Sequence, residues 1–169
     1  VLFYNMGEPY DITHPIQGGD SSTVFIFAPS LLIEMIRAHN PDIENTPRKL
    51  FQRSHITLNS RLQTLQYKLI HANRYNTAPL AIEEEIISLT GEIIHALYRG
   101  RALRKEHSSS NTLRAHADQV HNIKTFLNAH IQSPLQLAHI SAAVHLSPYH
   151  LCRVFNQNTG MTLHQYVKR

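Results

Sequence analysis

The chain carries 169 residues, 42% of them hydrophobic and 17% charged, with a formal net charge of +4 when histidine is neutral, which suits one ordinary globular domain or two small ones. Its single cysteine excludes an internal disulfide and gives no sign of an oxidising compartment. No signal peptide is visible and the apolar runs fall far short of the roughly 20 residues that cross a bilayer, so the expectation is a cytoplasmic protein with no membrane partner.

Residues 1–4 form a short apolar run ending in the turn cluster N-M-G-E-P, and residues 23–28 form a second β-rich run behind the loop Q-G-G-D-S-S. Both read as the last strands of a barrel or sandwich. Residues 31–38 have the length of a short helix, closed by N-P-D-I-E-N-T-P with its two prolines. Residues 50–58 read as a strand or an extended link. Leu58, Leu62, Leu65 and Leu69 then recur at i, i+4, i+7 and i+11, which predicts a helix over 59–73 that N-T-A-P ends. Ile82, Ile86, Leu89 and Ile93 repeat that spacing in a second long helix, with Ile87, Ile94 and Leu97 widening the stripe. Two such helices joined by a short polar link should pair antiparallel. The surplus apolar surface either packs on the preceding β-structure or meets its copy in a second chain, and the eight seam residues are the dimerisation candidates.

Residues 99–112, R-G-R-A-L-R-K-E-H-S-S-S-N-T, are polar, basic and serine-rich, the best linker in the chain. Charge divides near the same place. Residues 1–100 hold 8 Lys and Arg against 10 Asp and Glu, a net −2, whereas residues 101–169 hold 8 against 2, a net +6. A basic third beside a near-neutral remainder fits a nucleic-acid module joined to a partner domain, the alternative being a chance cluster.

A helix over 115–131 places Val120, Ile123, Leu127 and Ile131 on one face. Ser133, Pro134 and Gln136 give the cap, proline and capping-box signals for a helix starting at Pro134, with Leu137, Ile140 and Val144 as its buried stripe and Ser141 beside it. Ser147 and Pro148 repeat the signal for a helix that buries Leu151 and Phe155 and stops at Gly160. Thr162 with Gln165 opens a last helix, burying Leu163 and Tyr166 and unfinished at Arg169, so the chain reads as a piece of a longer protein. Burying Leu151 and Phe155 turns Tyr149, His150, Arg153, Asn156 and Gln157 outward. Arg can bond guanine bidentately, Asn and Gln can read adenine, and a helix fits the major groove; the bland alternative is a solvated face on an ordinary bundle.

The run L-S-P-Y-H-L-C-R-V-F-N-Q-N-T-G-M-T-L-H-Q-Y, residues 146–166, closely resembles the first helix-turn-helix of AraC/XylS-type transcription regulators. Leu146, Ser147, Leu151, Arg153, Phe155, Thr159, Gly160 and Tyr166 fit the family pattern. Ser141 departs where the first helix usually carries Ala, and His145 where the turn usually carries Gly; His is among the residues enriched at positive φ. The resemblance implies base reading by Tyr149, Cys152 and Arg153. It places Ser147, His150, Asn156, Gln157 and Thr162 at phosphate or secondary contacts. Residues 7–20, G-E-P-Y-D-I-T-H-P-I-Q-G-G-D, are similar to segments of AraC-type sensor domains, with His14 a structural residue or effector contact rather than a metal ligand.

The thirteen histidines suggest no metal site, because His116 with His121 and His145 with His150 lack the i+4 spacing of paired helical ligands. No P-loop, G-x-S-x-G or spaced Cys, His and Asn set is visible, so neither an enzyme nor a cofactor is expected. The expected fold is mainly α: residual strands of a cupin-like sensor, an antiparallel helix pair, then a tri-helical helix-turn-helix unit. The domains are residues 1–100 as the end of a sensor and dimerisation domain, 101–113 as linker, and 114–169 as a DNA-binding unit whose second helix-turn-helix is absent. The expected function is sequence-specific DNA binding by a transcription regulator, an activator under small-molecule control. Double-stranded DNA, a second copy and RNA polymerase are the expected partners. The alternative is a ligand-binding or protein-interaction domain that does not bind DNA.

Overall fold

Seven helices are present among the described residues, which in this computed structural model are 1–5, 7–9, 11, 18, 24–37, 39–41, 43, 50–51, 53–74, 78–98 and 110–169. They are α1 (Pro29–Arg37), α2 (Ser60–Arg74), α3 (Pro79–Leu97), α4 (Ser110–Ala129), α5 (Leu137–Val144), α6 (Pro148–Thr159) and α7 (Leu163–Val167). No helix is long and apolar enough to cross a membrane among the described residues.

The expected cupin-like strands are not found there. Residues 24–28 are irregular, with Val24 75% and Ile26 93% exposed; a strand without a partner leaves its backbone groups unpaired. At the amino terminus Val1 N donates to Ile56 O, Ile56 N to Val1 O and Phe3 N to Ser54 O, yet only the bridge between Leu2 and His55 forms. The Asn5 side chain then takes over the pairing. Its Nδ2 donates to Phe51 O at 3.0 Å and its Oδ1 accepts from Phe51 N at 2.9 Å, so a side chain satisfies groups that a longer ladder would have used. His14 and most of residues 7–20 lie outside the described residues, as do residues 101–109 of the expected linker.

The helix pair forms as the spacing predicts. Leu62 and Leu69 of α2 and Leu89 of α3 are buried together, with Leu58, Leu65, Ile82, Ile86 and Ile93 packed against them. Arg61, at the start of α2, reaches Glu92, late in α3, at 2.6 Å, which fits an antiparallel arrangement. The remaining apolar surface of α3 goes elsewhere than a β-sheet. Ile94 and Leu97 join Leu32, Met35 and Ile36 of α1 in a second core. Leu80 and Ile87 enter a third, with Ile123 and Leu127 of α4, Leu137 and Ile140 of α5, Leu151 and Phe155 of α6 and Leu163 of α7. One helix therefore supplies side chains to all three cores.

Three boundaries in the C-terminal unit differ from those expected, the first being the start of α4 at Ser110 rather than at Ala115. α4 ends at Ala129, which leaves Ile131 beyond the helix and 49% exposed. α5 begins at Leu137 rather than Pro134, and its cap residue Gln136 makes no side-chain capping bond. Instead the Leu137 N–H donates 2.6 Å to Glu83 Oε2 of α3. A tertiary carboxylate replaces the local cap that Ser133 was expected to supply.

Candidate nucleic-acid interface

α5 and α6 meet at a tight turn whose geometry follows from single residues. His145 closes α5 in the left-handed region, φ 54° and ψ 39°, and its N–H and that of Leu146 both donate to Ser141 O. Only a residue at positive φ lets the chain reverse this sharply, and Gly160 does the same after α6 with φ 70°. Ser147 caps α6, accepting from His150 N at 3.1 Å, with Pro148 in the first turn. Thr162 and Gln165 form a capping box: Gln165 N donates to Thr162 Oγ1 and Thr162 N to Gln165 Oε1. Positive φ at His145 and all three of these caps match the sequence reading.

α6 buries Leu151, Val154 and Phe155. Asn156 and Gln157 are exposed on its other side. The three expected base readers are not on an open face. Tyr149, Cys152 and Arg153 are each half-buried, and Tyr149 packs against both the α1 core and the C-terminal core. Burial first, and then the Glu84 and Glu83 carboxylates, push the Cys152 thiol well above the usual thiol range. His150 lies beside His116 of α4, ring centroids 6.1 Å apart.

Ser147 and Thr162, expected at phosphate, sit instead beside acidic residues from the first half of the chain. Ser147 Oγ donates to Glu34 Oε1 of α1. Glu84 of α3 spans the first turn of α7, its Oε1 accepting from Leu163 N at 2.7 Å and its Oε2 from His164 N at 2.9 Å. Burial raises the Glu84 carboxyl above the usual range, and Glu85 adds to that, while bonds from His164 N, Leu163 N and the Thr162 side chain pull the other way. Together with Glu83 on Leu137 N, three carboxylates of α1 and α3 meet the starts of α5, α6 and α7.

None of the three carboxylates is expected at these helix starts from sequence alone. A signal was present for one: Leu80, Glu84 and Ile87 fall at i, i+4 and i+7, so Glu84 stands inside an apolar stripe and is only 8% exposed. A buried carboxylate needs donors, and helix N-termini supply them. The eight dimerisation candidates pack within the chain, along the α2 and α3 seam. No group of three or more metal-ligating side chains occurs among the described residues.

Residues 127–168 match the family model described as bacterial regulatory helix-turn-helix proteins, AraC family. That span covers the end of α4 and all of α5, α6 and α7. No curated protein and no solved structure proved similar to the chain.

Proposed function

Residues 127–168 are an AraC-type helix-turn-helix, and from that premise we propose that the chain is a sequence-specific DNA-binding regulator of transcription rather than an enzyme. The observation that carries the reading is α6 itself. It stands between two left-handed turns with Asn156 and Gln157 exposed, in the part of the chain that holds the excess of basic residues. Arg153, Tyr149 and Cys152 are its base readers on this proposal, and Ser147, His150, Asn156, Gln157 and Thr162 make phosphate or secondary contacts. Control by a small-molecule effector, pairing of two copies through the α2 and α3 region, and activation through RNA polymerase extend the same reading.

A fluorescently labelled duplex pool, titrated with the whole chain at two salt concentrations, tests it. Binding should weaken linearly in log K against log salt as phosphate counterions are released. On a duplex enriched from that pool, Arg153→Ala should lose about 1–3 kcal/mol and relax preference at one base pair. Equal losses on enriched and scrambled duplexes would remove Arg153 from base reading. The second reading, an interaction domain that does not touch DNA, is favoured by the half-buried state of Tyr149, Cys152 and Arg153. Absence of binding at either salt concentration would select it.

A further inference from the structure

A helix that enters the major groove must present a clear face, and its flanking N–H and hydroxyl donors must be open to phosphate. Here neither condition holds. The base-reading side of α6 lies against the first half of the chain: Tyr149 packs on the core of α1, and the Cys152 thiol feels the carboxylates of Glu83 and Glu84 on α3. Donors beside that face are already taken. Ser147 gives its hydroxyl proton to Glu34, and the first N–H groups of α7 go to Glu84. The buried Leu80 and Ile87 of α3 seal the same junction with Leu137, Leu151 and Leu163.

We infer that α1 and α3 close over the reading helix and hold it in a DNA-free state, with the carboxylates of Glu34 and Glu84 standing where DNA phosphates would stand. DNA and the first half of the chain compete for one surface. Carboxylate and phosphate are both oxygen acceptors with negative charge, so the same donors serve either, and residues 1–100, net −2, face a basic remainder of net +6. This inference rests on the DNA-binding reading above and adds that the surface is closed in the resting chain.

Cys152 is the chain's single cysteine and lies at the junction, so its reaction with 5,5′-dithiobis(2-nitrobenzoate) reports opening without any DNA. Glu34→Ala is the informative variant for that assay, because the carboxylates that act on the thiol are Glu84 and Glu83; acceleration then reflects opening of the junction, which exposes the thiol and relieves the burial that raises its pKa, rather than direct loss of one of those charges. For DNA, the whole chain carrying Glu34→Ala and Glu84→Ala is titrated onto a mixed-sequence duplex and onto one enriched by selection. The control carries Glu8→Ala and Glu92→Ala, which removes the same charge away from the junction.

The expected result is thiol reaction faster by about tenfold in Glu34→Ala and DNA binding tighter by about tenfold in the double variant than in its control. Equal DNA affinity in double variant and control overturns the closure while leaving DNA binding in place. An unchanged thiol rate in Glu34→Ala overturns it as well. No DNA binding by any of the proteins removes the DNA reading itself and this inference with it, and a faster thiol then marks the junction as purely structural. Circular dichroism confirms that helix is retained. If the alanine pair loses helix, Glu34→Gln with Glu84→Gln replaces it, and its Cys152 rate and DNA affinity are judged by the same outcomes.

Discussion

Ser141→Ala should stabilise the protein. Ser141 is 7% exposed, sits inside α5, and its Oγ has no hydrogen-bond partner among the described residues. Two terms add. A buried hydroxyl left without a partner costs about 1–3 kcal/mol by comparison with its removal. Alanine is also a better helix former than serine by about 0.5 kcal/mol. Neither term is offset by a cavity, because only one oxygen leaves and the Cβ remains. The backbone carbonyl of Ser141, which accepts from His145 N and Leu146 N, is untouched by the substitution. The expected gain is about 1.5–3.5 kcal/mol, equivalent to a rise in melting temperature of about 2–4 °C per kcal/mol for a chain of this size. Urea denaturation of the two proteins, with m-values compared to check that both unfold alike, measures it. A variant equal to or weaker than the wild type would mean that the hydroxyl has a partner, such as a bound water, and that the orphaned-oxygen argument is wrong.

Gly91→Ala should also stabilise, by about 0.5–1 kcal/mol, since glycine costs that much inside a helix and the new Cβ would meet only Met35 Cε, at an ordinary 3.9 Å; a loss in thermal melting would show that α1 and α3 pack too closely there. His145→Gly removes the strain of φ 54° but widens the unfolded ensemble, so denaturation should find it between neutral and about 1 kcal/mol more stable. For Glu84, whose folded pKa is raised from 4.5, the folded state holds the proton more firmly than the unfolded one. Wild type should therefore gain stability relative to Glu84→Gln as pH falls from above the raised value to about 4.5, and lose it again as pH rises back. Urea titrations across that window check the sign, and a wild type that weakens relative to the variant on acidification would reverse it.

What could be read from the sequence was set by local rules. Ser147, Thr162, Gly160 and His145 cap or turn the chain through bonds within a few residues of themselves, so those roles are written in the adjacent chain. Leu62, Leu69 and Leu89 follow a helical period that any pairing of two helices must respect. The failures are all tertiary. Ser133 and Gln136 offered a capping box, but Glu83, 54 residues away, caps Leu137 instead. The surplus stripe on α3 was legible as surface needing a partner, whereas the partner, the C-terminal unit, was not. Treating α6 against its own unit alone turns Tyr149 and Arg153 outward, and the resemblance adds Cys152, whereas all three are half-buried, Tyr149 against the α1 core and Cys152 beside the α3 carboxylates. Residues 24–28 have β-branched and aromatic composition but no neighbouring strand among the described residues, and composition alone makes no ladder.

The way α3 is shared among three cores sets the energy scale of any rearrangement. To release the C-terminal unit, Leu80 and Ile87, 3% and 7% exposed, must leave their core. Exposing an aliphatic side chain of that size costs about 1.5–3 kcal/mol, so the two together hold the open arrangement to roughly 1% of molecules at the weak end and to about 0.01% or less at the strong end. If α1 and α3 close over the reading helix as inferred, apparent DNA affinity falls by the same fraction, because only the open molecules compete for a site. On the proposed effector control, a ligand would have to prefer the open arrangement by at least about a hundredfold to reverse this, and the tightness with which it binds both forms alike would contribute nothing.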